Sequence, residues 1–298
     1  MATLNENIDT IKNQVNTMKE KLGLAETASL QEVVDATSSG GGSKYAPENI
    51  SFYMSTKTNL DEDLSQLDLS QLKSCAGMFY KCSQLQTINL DLINTNQVTN
   101  MQEMFNGCSK LTEIDTTKLN FSNVTSLNQT FSMCSTITTL DFSQVDTSNL
   151  TNMERTFNMM SKLSSIDLSG INTSKVTTFY NLFSNCYALT EIDLTNFTSN
   201  DVLTTTYNMF SYCNKLTRII MPNLSSTALT NTSYMFSNCS QLTYLDIRSM
   251  DFSNVTSYSS MFSNVPASCE IIVKDDTARD WILAIRSDFT NIKTVAEL

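Results

Sequence analysis

The chain has 298 residues, only 16% of them charged, with a net charge of −11 and no histidine. The acidic balance disfavours nucleic acid and anionic membranes as partners. The missing imidazole removes Ser-His-Asp and Cys-His catalysis, histidine zinc sites and imidazole proton shuttles together.

The first element is an apolar seam. Leu4, Ile8, Ile11, Val15, Met18 and Leu22 follow one another at alternating gaps of four and three. Ile8, Val15 and Leu22 share one heptad position, and Leu4, Ile11 and Met18 the other. Fewer than three heptads make a marginal isolated helix. The segment therefore either docks on another protein or forms a short coiled coil, and both readings make it an attachment device. Gly23 ends the helix. A second short helix is expected over 29–36, with Ser29 as cap and Glu32 completing a capping box. The run Ser38-Ser39-Gly40-Gly41-Gly42-Ser43 is a flexible linker. Residues 1–37 are thus an attachment and oligomerisation segment, and 38–48 a Gly/Ser-rich linker. The N-terminus lacks the basic start and apolar run of a secretion signal, and no segment is long and apolar enough to span a bilayer.

Past the linker, Ile50, Phe52 and Met54 alternate like a first strand. Then a fixed period takes over. Phe79, Phe105, Phe131, Phe157, Phe183, Phe210, Phe236 and Phe262 stand 26 residues apart, with one gap of 27. Such self-similarity marks a solenoid, whose repeats stack on one another instead of folding alone. An aliphatic residue lies seven before each Phe, as in Val124 and Leu150, and a large residue usually lies four before, as in Leu127 and Met153. Cys82, Cys108, Cys134, Cys186, Cys213 and Cys239 lie three after it, with Met160 and Val265 in the remaining coils. These offsets trace one face of a short helix. Six and nine residues after the Phe come pairs such as Ile137 and Leu140, or Leu216 and Ile219, the inward positions of a strand. Stacked coils place these strands in a parallel sheet, in a body about 40 Å long at roughly 4.8 Å per strand. The solenoid spans 49–268. Residues 269–298 leave the period and form a cap. Its elements are a closing strand over 270–273, a helix capped by Asp276 or Thr277 with Trp281, Ile282 and Ile285 inward, and a last strand over 291–295.

The unit Asn123-Val124-Thr125-Ser126-Leu127, followed by Phe131, Cys134, Ile137 and Leu140-Asp141-Phe142-Ser143, resembles the BspA-type leucine-rich repeat of bacterial surface proteins. So does Met235-Phe236-Ser237-Asn238-Cys239-Ser240-Gln241-Leu242-Thr243-Tyr244-Leu245-Asp246. The resemblance covers about residues 64–268. It implies an α/β, leucine-rich-repeat-like right-handed solenoid with a parallel β-sheet and short helices, a role in adhesion or recognition, and no catalytic residues. Met160, Val265 and the strand Arg218-Ile219-Ile220-Met221-Pro222 depart from the repeat. The heptad helix, second helix and glycine run resemble virion-attachment segments of bacteriophage tail and fibre proteins.

Two columns invite chemistry. The cysteines match no zinc spacing, and at an inward position they are expected to be buried free thiols. Cys75 and Cys269 stand off the ladder and are the candidates for exposure. Asp115, Asp141, Asp167, Asp193 and Asp246 form an outward column, with Asn89 at its start. Stacked like charges repel, so the column needs a reason: hydrogen bonds to backbone amides, a bound cation such as calcium, or ligand recognition. On the same face the repeat abandons its consensus near Arg218, Tyr244, Asp246 and Arg248, residue types enriched at binding hot spots. These four are the expected receptor-contact residues.

The chain is therefore expected to be a non-enzymatic structural and recognition protein of a phage or phage-like particle, needing no cofactor or metal. Other virion proteins would bind its N-terminal helix, and a host cell-surface protein or glycan its solenoid. A homo-oligomer is expected, a trimer ahead of a dimer, located in the virion. The alternative is a bacterial cell-surface adhesin.

Overall fold

The 26-residue period becomes a stack of coils in the computed structural model, which describes residues 58–61, 64, 69, 72–198 and 201–298. The eight ruler phenylalanines form one column through the centre. From Phe79 to Phe262, each ring lies 5.2–6.0 Å from the next, nearly parallel to it. The rings are buried. Burial at that scale is worth about 1.5–3 kcal/mol per side chain, which explains why the sequence holds this position in every coil.

From the Phe131 coil onward, one side of each coil is a strand of three or four residues: β1 (Thr139–Asp141), β2 (Ser165–Asp167), β3 (Glu191–Asp193), β4 (Arg218–Ile220), β5 (Tyr244–Asp246) and β6 (Glu270–Val273). β1 pairs with β2 in parallel, and β3 to β6 continue in a second parallel sheet. The coils of Phe79 and Phe105 carry 3-10 turns beside this sheet, Leu90–Leu92 and Thr116–Lys118. The parallel solenoid is as the periodicity required.

The segment around each Phe is not the short helix that the apolar offsets predict. It is a run of turns with a left-handed residue two before and two after the Phe. Examples are Gln129 (φ 55) and Met133 (φ 62), and Asn181 (φ 54) and Asn185 (φ 63). Gly77 and Gly107 take the same slots. The backbone amides alternate in their duties. From Phe79 to Phe236 each ruler Phe N–H donates to the next coil, as from Phe105 to the Thr130 carbonyl at 2.9 Å and from Phe210 to the Met235 carbonyl at 2.9 Å. The intervening amides close turns within the coil, as from Cys134 to Phe131 at 3.2 Å. The same residues point inward as in a helix, so the apolar pattern alone does not separate the two.

Corners explain why Ser, Thr, Asn and Asp dominate the composition. Asp115, Asp141, Asp167 and Asp193 each accept the amide two residues on, at 2.8–3.1 Å. Asn120, Asp146, Asn172 and Asp251 do the same at a second corner, at 2.8–2.9 Å. Asn100, Asn152 and Asn231 do so at a third, at 2.8–3.0 Å. These side-chain turns let the chain bend three times per coil with few glycines. Gly170 marks an exception of contact: a Cβ there would lie 2.3 Å from the Phe142 carbonyl oxygen.

The cap closes the C-terminal end. Helix α1 (Asp276–Ile285) is capped by Asp275, whose side chain accepts the Ala278 amide, so the cap lies one residue before the predicted position. Trp281 stacks on Phe252 at 4.3 Å and Ile282 is buried. β7 (Ile292–Thr294) pairs in parallel with β6. The heptad seam, the second helix, the linker and the strand around Ile50 lie outside the described residues.

Candidate functional site

The thiols are structural. No disulfide joins the eight cysteines, and all are buried, including Cys75 and Cys269, which were expected to be more exposed. Cys108, Cys134, Cys186, Cys213 and Cys239 each donate Sγ–H to a Phe carbonyl of the preceding coil at 3.1–3.2 Å. Burial pushes the Cys134 and Cys213 thiols up to about 12 and holds Cys186 well above the ordinary range. A thiol so far from ionising is a poor nucleophile and a poor metal ligand. Among the described residues, no three Cys, Asp or Glu side chains converge as a metal site.

The aspartate column is also consumed by the fold, through the corner bonds already described. Hydrogen bonds from the Ser143 backbone and side chain hold the Asp141 carboxyl below its usual range. This bonding accounts for a column of like charges whose members Asp141 and Asp167 face each other in register.

The predicted contact residues do come together on the strand face. The Arg218 guanidinium lies 4.0 Å from the centre of the Tyr244 ring. Arg248 grips Asp246 through two nitrogens, at 2.9 and 2.6 Å. Asp246 is 2% exposed. Its neighbours in the column are Ile220 and Ile272, not carboxylates. The break in the consensus at Ile220 thus buries Asp246, and Arg248 supplies the partner that a buried carboxylate requires. What this cluster leaves for an external partner is Arg218, Tyr244 and the outer edge of Arg248, all half-buried.

A second surface was not singled out from the sequence. On the turn face a furrow of about 690 Å³ runs across five coils, from that of Phe157 to that of Phe262. Its floor is the residue after each Phe, with Ser184, Ser211 and Ser237 buried there. Its walls are the left-handed residues, including Asn181, Asn208 and Tyr234 on one side and Asn185, Tyr212 and Asn238 on the other. No lining residue is charged. In earlier coils the same slots hold Lys81 and Glu103, and the Phe157 coil at the furrow's end carries Arg155 in its first slot. Asparagine tolerates positive φ, which accounts for much of its presence. Tyr212 (φ 64) and Tyr234 (φ 57) have no such excuse. A bulky residue in this region costs on the order of 1 kcal/mol, yet these rings are 49% and 37% exposed. Tyr234 meets Tyr207 edge-on at 5.7 Å, and Tyr207 stacks on Tyr180 at 4.9 Å. Asn181 Oδ1 is buried at this wall without a hydrogen-bond partner.

The family model described as "Mycoplasma protein of unknown function, DUF285" matches residues 48–140, 104–223 and 171–275 in overlapping windows. Together these cover most of the chain. The chain belongs to the DUF285 family. No curated protein matches it. The DUF285 windows overlap because the model finds the same periodic unit several times, and they enclose both the strand-face cluster and the furrow.

Proposed function

We propose that this DUF285 protein is a non-enzymatic recognition protein, displayed on a surface through residues 1–37 with its solenoid facing outward. The observation that carries this reading is the furrow: five coils of uncharged, partly strained side chains on a molecule whose other repeated polar columns are spent on holding the coils together. The absence of histidine and the engagement of the aspartates and thiols in internal bonds support a non-catalytic role.

The surface that the seam Leu4, Ile8, Ile11, Val15, Met18 and Leu22 fits best is a phage or phage-like particle. Other virion proteins or copies of this chain would cover the seam there. A bacterial cell-surface adhesin of the BspA type is the second reading, favoured by the family match. Deleting residues 1–43 tests the display model. The truncated chain is expected to melt as the full chain does, while losing its oligomer by light scattering and its incorporation into particles. A truncated chain that fails to fold would place the seam in the core and end this reading. Tyr244→Ala with Arg248→Ala, compared with furrow variants, reports which face meets the target.

A further inference from the structure

We infer that the turn-face furrow binds an uncharged glycan chain laid along the solenoid axis, with sugar rings against Tyr212 and Tyr234. The inference rests on the recognition reading above and names the ligand class of that surface.

The lining chemistry is the first support. Amides and hydroxyls both donate and accept, which matches the hydroxyls of a neutral sugar. The furrow lining offers a polyanion no cation, and Arg155 and Arg286 stand only at its ends. The second support is the slots themselves. Elsewhere they hold Gly, Asn, Lys, Glu, Gln, Arg, Met and Ser, so the left-handed backbone does not call for an aromatic ring. The third is the exposure of the two rings, 49% for Tyr212 and 37% for Tyr234. A ring held outward on a strained backbone offers a flat apolar face with a polar tip, the form that stacks on the C–H face of a pyranose.

Translation adds a fourth. Successive coils repeat at ring spacings of 5.7 and 5.9 Å in this region, so the same contacts recur in register. A ligand that is itself a repeat can use each of them. A protein partner is the competing occupant, but protein hot spots combine tyrosine with arginine, tryptophan and an apolar centre. The furrow lining has no arginine or tryptophan, and Met159 is its one aliphatic side chain.

The test uses the full chain on an array of neutral hexose and N-acetylhexosamine oligosaccharides, with sialylated, uronic and sulfated oligosaccharides alongside. Retention by a neutral glycan is expected. Tyr212→Asn and Tyr234→Asn, which place a residue type already found in these slots, are each expected to weaken it roughly tenfold without loss of thermal stability. Tyr244→Ala on the strand face should leave it unchanged. Binding only to acidic glycans, an empty array, or retention indifferent to both tyrosines would overturn the inference. Intact bacterial cells, treated with periodate or with protease, separate it from the reading on which it rests. Attachment that resists periodate and is lost on proteolysis means a protein partner, leaving recognition intact and the glycan wrong. No attachment to cells or array refutes both.

Discussion

The turn face and the strand face of this solenoid are built from the same repeat, and they treat their polar side chains differently. On the strand face, charge is frequent and already committed. Aspartates accept corner amides, and Asp246 is held by Arg248 between two isoleucine neighbours. In the furrow on the turn face no lining residue is charged, and two large rings stand exposed in left-handed slots. A column that satisfies itself belongs to the fold. A column that holds exposed rings on strained backbone is better explained by something outside the molecule. By that criterion the furrow outranks the strand-face cluster as a contact surface.

The comparison can be pressed hardest with alkali, because the thiol ladder lies beneath the turn face. Burial pushes thiols such as Cys134 and Cys213 from the ordinary 9.0 up to about 12. In the unfolded chain they ionise near 9.0, so the unfolded state releases protons first. Stability from this source is full below pH 9 and falls as pH rises toward 12. Melting followed by circular dichroism is expected to show a steep loss over that window, reduced in a Cys134→Ala, Cys213→Ala variant. An identical loss in that variant would assign the effect to other groups.

Next in size is the column that both faces share. Phe157→Ala removes a fully buried ring from the centre of the stack and is expected to cost about 3–5 kcal/mol in denaturant titration. A cost below 1 kcal/mol would mean that the coils do not depend on the ring ladder.

On the strand face the two kinds of aspartate should separate. Asp246→Ala takes the partner from Arg248 and is expected to cost about 1–2 kcal/mol, with Arg248 free to reach water. The exposed Asp167 loses only its corner bond to the Ser169 amide, and Asp167→Ala is expected to cost about half as much. Equal costs would remove the distinction drawn between them. The smallest effect has the opposite sign. Tyr212→Asn relieves a left-handed aromatic and should stabilise the chain by a few tenths to about 1 kcal/mol. A clear destabilisation would show that the ring serves the fold.

Much of this was legible from residues. The Phe ruler, the inward cysteines and the strand positions such as Leu140 and Ile219 sit where their spacing placed them. The closing elements at Glu270–Val273 and Asp276–Ile285 fell within a residue of expectation. The corner role of the aspartates was one of three readings, and the Ser or Thr two residues on was its signal. The furrow was missed although its residues were in view. Asn181, Asn208, Tyr212 and Tyr234 stand at helix-like offsets from the Phe, and only the left-handed turns set them along one groove.

The sequence by itself determined the period, the core columns and the parallel stacking, because burial selects the same side chain at the same point in every coil. Tertiary structure alone decided how the backbone passes the ruler Phe, since a helix and a chain of alternating left-handed turns bury the same positions. What favours the turns is that every second amide can then bond to the next coil, a gain available only once coils are stacked. That choice also forms the furrow, by setting two left-handed side chains on either side of each Phe and repeating them in register along the axis.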